Sequence, residues 1–249
     1  MNIKVNNIED KIKDELDLLK KLNHQNIVEF YGSFFKSHYL YIVLEYCSGG
    51  AISKNYELIK KNEVLIRQYT SQILEGLEYL HAHNIVHRDI KCANILIGKK
   101  NICKLTDFGG SKMIKEGISV ITSIQGTANW MAPEVIMGLG SSRFSDIWSL
   151  GCTVLEMFQG EPPYNDKKDL EVFNCICKKK ELPKIPEDMS DSLKDFVKSC
   201  LHFEQNKRLN VYELKNHPFI NTNNNDNISE NIINNLSSRF TINSKNAIV

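Results

Sequence analysis

The sequence predicts an α+β fold in which a short strand-rich portion precedes a longer helical portion. Two runs rich in valine, isoleucine, phenylalanine and tyrosine, at 27–35 and 39–46, flank a polar turn and predict a β-hairpin. Apolar residues then recur every three or four positions at 63–83 and 190–202, and 145–157 is apolar on nearly all sides, as in helices. Strands followed by helices, without regular alternation, favour the α+β class.

Length and composition limit the classes of partner. With 249 residues, 42% of them hydrophobic, the chain is long enough to bury a substantial core in one large or two small domains. Its formal net charge of +1 favours neither nucleic acid nor an anionic membrane surface as a partner. No run reaches the roughly 18 apolar residues that a membrane span needs, so no span is expected.

Cysteine usage points to a reducing compartment. The seven cysteines are odd in number, scattered, and without a C-x-x-C pair. They are therefore expected as reduced thiols of a cytoplasmic protein, and not as a disulfide framework or a zinc site. A metal site built on Cys175 and Cys177 is the less favoured alternative.

Residues 221–249 differ in composition from the rest of the chain. Asparagine is abundant there and apolar residues are sparse. Such a segment buries too little apolar surface to fold alone, so we expect a disordered tail behind a folded domain at 1–220. A docking segment at Arg239-Phe240-Thr241-Ile242 is the alternative.

The segment at 87–109 carries the chemistry of the chain. It contains Asp89, Lys91, Asn94 and Asp107 within about twenty residues. Phosphoryl transfer needs such groups: an aspartate to orient the acceptor hydroxyl, a cation beside the phosphate, and oxygen ligands for Mg²⁺. The pattern His-Arg-Asp-Ile-x-x-x-Asn, followed by Asp-Phe-Gly, is the protein-kinase signature with isoleucine in place of leucine. The segment thus resembles the catalytic and metal-binding loops of protein kinases.

The resemblance assigns roles to these four residues. It implies Asp89 as the base or hydroxyl-orienting group, Lys91 as the cation beside the phosphate, and Asn94 and Asp107 as Mg²⁺ ligands. A lysine two residues after the aspartate resembles the branch that phosphorylates serine and threonine in proteins. ATP and Mg²⁺ are the cofactors implied.

The same resemblance implies a fold with two lobes. A reduced N-terminal lobe at 1–46 would precede a mainly helical lobe at 51–220. ATP would lie between them, against residues that the resemblance assigns to the cofactor: Lys4, Glu15, Glu45, Cys47 and Leu96.

Two of these nucleotide contacts rest on local context. Glu15 lies in a helical stripe before the segment His24-Gln25-Asn26-Ile27-Val28, the position of a glutamate that pairs with the ATP-contacting lysine of kinases. Lys4 is the matching lysine, in a weak Val-Ala-Ile-Lys likeness; the alternative is a terminal lysine without such a role. Glu45 and Cys47 would contact adenine through their backbone groups.

Residues 107–134 resemble a kinase activation segment. The segment ends in Ala132-Pro133-Glu134, and Thr127 is the position whose hydroxyl contacts the catalytic aspartate in Ser/Thr kinases. Ser123 is the first choice as the site that an upstream activating kinase would phosphorylate. Arg88 would form an ion pair with the phosphate. The other candidate phosphosites are Ser119 and Thr122. An unmodified polar loop is the alternative.

Three further residues are expected to support the site. By resemblance, Asp146 braces the backbone of the His-Arg-Asp turn, and Arg208 pairs with Glu134. Glu156, a charge in the apolar segment 145–157, is expected to face a polar neighbour. For His81 and His83, at the end of the segment 63–83, we expect helix-end roles.

Several stretches resemble the MAP kinase kinase kinase group, which implies a MAP kinase kinase as protein substrate. They are Asn26–Gly32, Asp107–Lys112 and Gly126–Glu134. The sequence departs from the kinase pattern in its N-terminal part, since no G-x-G-x-x-G precedes the helix of Glu15. Three hypotheses stay open. The chain is a Ser/Thr kinase whose N-terminal part is absent from this sequence or that works poorly without it, an impaired kinase acting as a binding or scaffold module, or a switch that binds ATP without transfer. The missing glycine-rich loop leads us to expect weak or absent transfer.

Overall fold

The computed structural model describes residues 16–37, 39–113 and 126–221. The first described element is a helical turn at 16–19, in which Leu16, Leu18 and Leu19 are buried. It is the last part of the helical stripe predicted before the segment His24–Val28. Glu15 and Lys4 lie outside the described residues.

A β-hairpin follows, as predicted. Strand β1 (Phe30–Lys36) pairs antiparallel with β2 (Tyr39–Leu44). The first strand begins three residues later than expected, because Val28 leaves the hairpin and donates its N–H to the carbonyl of Leu105 at 2.9 Å. Apolar side chains before the hairpin therefore pack on the larger lobe.

Short strands frame the loops of the larger lobe. β3 (Gly50–Ala51), β5 (Ile95–Ile97) and β6 (Cys103–Leu105) form one antiparallel sheet in the order β3-β5-β6. β4 (Ile85–Val86) pairs with β7 (Lys112–Met113). The chain segments between β4 and β5, and between β6 and β7, are therefore held side by side.

The larger lobe is mainly helical, as expected from the apolar spacing. Its helices are α1 (Tyr56–Ile59), α2 (Glu63–Ala82), α3 (Pro133–Ile136), α4 (Arg143–Gln159), α5 (Asp169–Phe173), α6 (Asp191–Cys200) and α7 (Val211–Lys215). A π-helical turn, Asn174–Lys179, continues α5.

Helix α2 agrees closely with the prediction. It begins after Asn62, whose side chain accepts the N–H of Leu65 at 3.1 Å and so satisfies a free donor of the first turn. Its apolar stripe, predicted from the spacing, is buried in the core.

Helix α4 is longer than predicted. It starts at Arg143 because Ser142 and Ser145 form a capping box. It ends at Gln159 because Gly160 takes a left-handed conformation with φ 75°, so the stop comes before the prolines that follow.

Helix α4 lies at the centre of the hydrophobic core and contacts α2 and α6. The fit against α6 is close at Gly151, where an added Cβ would lie 2.7 Å from the Cβ of Cys200. The loop between β4 and β5 packs against this helix.

Candidate active site

Asp146 of α4 fixes the backbone of the loop between β4 and β5. Its fully buried carboxylate accepts the N–H groups of His87 at 2.9 Å and Arg88 at 2.8 Å. Arg88 has φ 72°, a left-handed conformation that costs a non-glycine residue about 1–3 kcal/mol. Hydrogen bonds to a charged acceptor offset that cost. The bracing expected of Asp146 is thus present in the geometry.

His81 also bonds to Asp146, at 2.9 Å through its Nε2 atom. His81 lies in the last turn of α2, in keeping with the expected helix-end position, and its side chain is buried on the inner face of the helix. It follows Leu77 by four positions, so the helical stripe itself could have indicated its burial. His83 does lie at the helix end, where its Nδ1 is 2.8 Å from the carbonyl of Tyr79.

The ring of His87 is buried and bonded on both sides. Nδ1 lies 3.3 Å from the N–H of Asp89, and Nε2 lies 3.0 Å from the carbonyl of Thr106. Because Nδ1 must accept from Asp89, the proton is on Nε2 and the imidazole is neutral. Burial lowers the pKa of His87 below its ordinary value and outweighs the nearby Asp146, which raises it.

This buried histidine predicts a pH-dependent stability. Below about pH 6.5 the unfolded chain binds a proton at His87 that the folded chain excludes, so the free energy of unfolding falls with the pH. Between pH 7.5 and pH 5.5 the histidine therefore contributes a loss of stability as the pH falls. Urea unfolding at both pH values should show a smaller loss in His87→Asn than in the unchanged protein. An equal loss in both proteins contradicts the assignment.

Asp89, Lys91 and Thr127 form a closed triangle of polar contacts. The Lys91 ammonium lies 2.7 Å from Oδ2 of Asp89 and 2.5 Å from Oγ1 of Thr127. The Thr127 hydroxyl donates to Oδ1 of Asp89 at 2.8 Å. Burial raises the pKa of Asp89, but the hydrogen bonds from Lys91, Thr127 and Asn94 outweigh it and leave the pKa below its ordinary value. The carboxylate is therefore ionised at neutral pH.

Asn94 completes the setting of Asp89. Its Nδ2 donates to the backbone carbonyl of Asp89 at 2.9 Å and to Oδ2 at 2.7 Å. Both bonds use the amide nitrogen and leave the oxygen Oδ1 of Asn94 outside them. The asparagine is thus oriented by the residue that the sequence predicts as the catalytic aspartate.

Asp107 lies beside Asn94, as the predicted hairpin of β5 and β6 implies. Ile95 faces Leu105 in the sheet, and the next contact brings the carbonyl of Asn94 to 3.1 Å from the N–H of Thr106. Asp107 follows with φ 63° and an exposed carboxylate.

These two residues fit a Mg²⁺ ion. Mg²⁺ takes oxygen ligands and in nucleotide sites needs only one or two side chains besides phosphates and water. The oxygen of Asn94 and the carboxylate of Asp107 supply that set. Within 16–37, 39–113 and 126–221, no group of three or more His, Cys, Asp or Glu side chains is placed to hold a metal.

The described end of the activation segment passes closely over the catalytic loop. Gly126 has φ 129°, and an added Cβ would lie 2.9 Å from the carbonyl of Arg88. Only a residue without a side chain fits there, directly before Thr127. Ser119, Thr122 and Ser123, the predicted phosphosites, lie outside the described residues.

The turn after β2 presents backbone groups of the kind expected for adenine. The N–H of Glu45 bonds to the carbonyl of Glu29, and the carbonyl of Cys47 accepts from Gly50. Among the described residues, none bonds to the Glu45 carbonyl or the Cys47 N–H. These groups are the donor and acceptor that a base edge requires.

Side chains around this turn tie the two lobes together. The Glu45 carboxylate pairs with Lys104 of β6 at 2.8 Å, which the sequence did not indicate. Burial, followed by the charge of Glu45, raises the pKa of the Cys47 thiol to about 11, so it stays protonated. Leu96, half-buried in β5, pairs with Ala51.

Glu134 and Arg208 form a bidentate ion pair at the end of the activation segment. Nη1 and Nη2 of Arg208 lie 2.7 Å and 2.8 Å from the two carboxylate oxygens. The guanidinium also donates to the carbonyls of Phe144 and His202 and lies over the ring of Trp148. The pairing expected from the sequence is thus present and buried.

One contact of the site has no counterpart in the sequence analysis, and another is more specific than expected. The Ser111 hydroxyl donates to the carbonyl of His87 at 3.1 Å and links the loop after β6 to the catalytic loop. Glu156, expected only to face a polar neighbour, accepts hydrogen bonds from Tyr56, Cys92 and Trp130.

Two further expectations concern the state of the cysteines and membrane-spanning segments. The seven cysteines carry free thiols, six of them buried. In the described part of the chain, no helix has both the length and the apolar character needed to cross a membrane.

Comparison with known proteins agrees with this geometry. The family model of the protein kinase domain matches residues 2–220. The chain is 45% identical over 214 residues to mitogen-activated protein kinase kinase kinase 3 of Arabidopsis thaliana, a match covering 84% of this chain and 33% of that protein.

Two further relatives show similar identity. Mitogen-activated protein kinase kinase kinase A of Dictyostelium discoideum is 43% identical over 222 residues, covering 87% of this chain and 23% of the relative. Cell division control protein 7 of Schizosaccharomyces pombe is 43% identical over 215 residues, covering 84% and 20%. The chain thus spans about a third or less of the length of these relatives. The expected α+β kinase fold is confirmed: the chain belongs to the protein kinase family and resembles the MAP kinase kinase kinases of its Ser/Thr branch.

Proposed function

We propose that this chain transfers the γ-phosphate of ATP to serine or threonine hydroxyls of a protein. The observation that carries the proposal is the ionised carboxylate of Asp89, held between Lys91 and Thr127 and next to Asn94. Kinase catalysis consists mainly of positioning and electrostatic stabilisation, and this arrangement supplies both.

The geometry indicates where the acceptor hydroxyl would bind. An ionised carboxylate offers about four lone-pair positions. Lys91 and Asn94 use Oδ2, and Thr127 uses Oδ1. The remaining position is on Oδ1, beside Thr127, and we place the acceptor hydroxyl there.

From this position the acceptor hydroxyl can attack the γ-phosphate of ATP. The acceptor oxygen forms a bond to the γ-phosphorus, the bond from that phosphorus to the bridging oxygen breaks, and ADP leaves. The proton of the acceptor hydroxyl passes to Oδ1 of Asp89. Because the carboxylate is already ionised at neutral pH, no prior deprotonation is needed.

Lys91 and Thr127 orient the base. Lys91 donates to both partners, so its positive charge lies within reach of a phosphate near the acceptor. Thr127 donates to Asp89 and accepts from Lys91, which fixes the rotamer of each. Asn94 and Asp107 would hold Mg²⁺, which when bound neutralises charge on the phosphates.

We further propose a MAP kinase kinase as the protein acceptor and the cytoplasm as the location. Support for this acceptor comes from the names of the relatives, which describe kinases that act on MAP kinase kinases. An upstream kinase that modifies Ser123 or Thr122 is part of the same proposal.

Removing one metal ligand should weaken nucleotide binding. Saturating ATP with Mg²⁺ at about 100 times Kd stabilises a protein by about 2.7 kcal/mol. We expect Asp107→Asn to lose most of the rise in Tm that ATP and Mg²⁺ produce, while its Tm without ligand stays close to that of the unchanged protein. Asp169→Asn, an exposed aspartate at the start of α5, is the matched control and should keep the rise. An unchanged rise in Asp107→Asn contradicts the metal assignment.

Phosphate incorporation tests the proposed function. The full chain is incubated with labelled ATP and Mg²⁺, and with either a general Ser/Thr protein acceptor or an inactive MAP kinase kinase. Labelling that Asp89→Asn abolishes supports the proposal, and preference for the second acceptor supports its finer part. Labelling insensitive to Asp89→Asn overturns it.

The alternative is a chain that binds without transfer, as a nucleotide switch or a scaffold. No labelling together with a rise in Tm on adding ATP and Mg²⁺ would select the nucleotide switch. Neither labelling nor a rise in Tm would select the scaffold.

A further inference from the structure

The hairpin of β1 and β2 carries a group of exposed apolar side chains. Residues that face each other across two paired strands lie on the same side of the hairpin. On one side, the register places Gly32, Phe34, Lys36, Tyr39, Tyr41 and Val43. The four large apolar side chains of this set are each between 42% and 69% exposed, and the rings of Phe34 and Tyr41 stack with their centroids 5.1 Å apart. We call Phe34, Tyr39, Tyr41 and Val43 the aromatic face.

The aromatic face is large enough to be an interaction surface. An aromatic side chain carries roughly 150–250 Å² of surface, so at these exposed fractions the face leaves on the order of 400 Å² of apolar surface open. A contiguous apolar patch of this size on a soluble protein is often functional. Within the described residues, β1 and β2 form a sheet of two strands, and so small a sheet gains stability from packing against another element.

The two ends of this side of the hairpin carry opposite charges. Lys36 lies at the tip, where β1 ends. Glu29 lies at the base, where its carbonyl accepts the N–H of Glu45 at 2.8 Å. Because side chains alternate along a strand, Glu29 projects on the same side as the aromatic face. Lys36 and Glu29 are both exposed, so a cation and a carboxylate border the aromatic face at opposite ends.

These charges are arranged so that the face is complementary to itself. Two hairpins can pack face to face around a two-fold axis that lies between them and runs across the strands. Each strand then lies over the same strand of the other copy, in the opposite direction. The bulge between Phe30 and Gly32 adds one residue that occupies no place in the pairing. Counted from the tip with that residue left out, Lys36 lies over Glu29 of the second copy.

The same rotation brings the apolar side chains together. Phe34 lies over Gly32 of the second copy, and Tyr41 lies over its Val43. A Cβ added at Gly32 would meet nothing within 4 Å, so there is room for the phenylalanine ring at this point. Large side chains of one copy thus face small or aliphatic ones of the other, as close packing of two sheets requires.

We infer that the aromatic face binds a second copy of this chain, with the tip of each hairpin over the base of the other. Symmetry makes the pair of Lys36 and Glu29 occur twice in the dimer. The apolar surface is about half of the roughly 800 Å² that each partner buries in a standard interface, so the dimer is weak and reversible, in the micromolar range. The inference does not depend on the proposed function, because the aromatic face lies outside the site of Asp89.

Two neighbouring phenylalanines provide a matched pair of variants. Phe34 belongs to the aromatic face, whereas Phe35 pairs with Leu40 on the opposite side and is also exposed. Sedimentation equilibrium of the full chain, from low to high micromolar concentration, measures the dimer Kd. We expect Phe34→Lys to raise this Kd by about tenfold or more, because it brings two like charges into the interface. Phe35→Lys should leave the Kd within about twofold of the unchanged chain.

Two results of this comparison would overturn the inference. An unchanged chain that stays monomeric over the whole range leaves the aromatic face to a different protein or to another segment of this chain. Equal weakening by Phe34→Lys and Phe35→Lys shows that association does not distinguish the two sides of the hairpin. Thermal unfolding of both variants shows whether they are folded, and neither measurement needs kinase activity.

A charge exchange tests the arrangement of the two copies, even if Phe34→Lys does not fold. In about 0.1 M salt, Lys36→Glu and Glu29→Lys should each raise the dimer Kd by about threefold or more, because each creates two contacts between like charges. The double variant should return to within about twofold of the unchanged chain. Within one copy the two side chains lie roughly 20 Å apart, about twice the screening length, so such a rescue reports a contact between copies. A double variant as weak as the single ones overturns the inference.

Discussion

Asparagine at position 89 is expected to lower kcat for phosphate transfer by about 10²–10⁴-fold, the range typical for loss of a general base. Asp89→Asn keeps the size of the side chain but removes the negative charge and the proton-accepting oxygen. It also places an amide N–H₂ against either Thr127 or the pair of Lys91 and Asn94, all of which donate to the carboxylate. The loss should therefore fall on kcat, since none of these contacts reaches the adenine side.

The measurement is steady-state transfer to a protein acceptor, with KM for ATP determined in parallel. Asp169→Asn, exposed on α5, is the matched control and should leave kcat unchanged. Thermal unfolding of Asp89→Asn shows whether the variant is folded. A folded variant with kcat within threefold of the unchanged chain would remove Asp89 from the mechanism.

The parts of the site that are close in sequence were predictable. Asp89, Lys91 and Asn94 lie on one loop, and a short hairpin joins that loop to Asp107, so spacing alone places these groups together. The same holds for α2, whose apolar stripe extends over its full length. Local geometry decides such features, and local geometry is visible in a sequence.

Contacts between distant residues were predictable only through the family resemblance. Asp146 lies 59 residues after His87 of the His-Arg-Asp turn, and Arg208 lies 74 residues after Glu134. Nothing in the spacing of those residues indicates that they meet. The resemblance supplied them because the motifs that flank them are those of the family.

The contacts missed by the sequence analysis are buried polar groups on apolar faces. His81 and Glu156 lie on helices whose patterns predict burial, and a buried charged group requires partners. The pattern indicates that such a group needs a partner, but it does not identify the partner. For Glu156 the partners Tyr56, Cys92 and Trp130 come from three other segments of the chain. Likewise, β1 starts later than predicted because Val28 finds a partner on β6.

Loss of Arg208 is expected to destabilise the fold by about 3–5 kcal/mol, the cost of leaving a buried charge without its partner. In Arg208→Met the guanidinium is gone, while Glu134 keeps its carboxylate inside the core. Among the residues that the structure describes, the Ser145 hydroxyl, at 3.0 Å, is then the one remaining donor to that carboxylate. The carbonyls of Phe144 and His202 lose a donor as well. The free energy of unfolding from urea titration measures the loss.

Lys207→Met is the matched control, one residue away. Lys207 pairs with Glu204 at 2.9 Å, but both side chains are more than half exposed, so this variant should unfold like the unchanged chain. A double variant tests the cause of the loss. If the unpaired Glu134 carboxylate is responsible, Glu134→Gln combined with Arg208→Met should be more stable than Arg208→Met alone.

The ion pair of Glu134 and Arg208 is also connected to the candidate active site. Glu134 is bonded to Ser145, which caps α4 through the N–H of Ser142, and α4 carries Asp146. A weakened end of the activation segment should therefore also lower kcat in Arg208→Met at temperatures where the protein is still folded. If Arg208→Met proves as stable as Lys207→Met, the ion pair contributes nothing to the fold, and the activation segment is held by its other contacts, among them those of Asn129, Trp130 and Thr127.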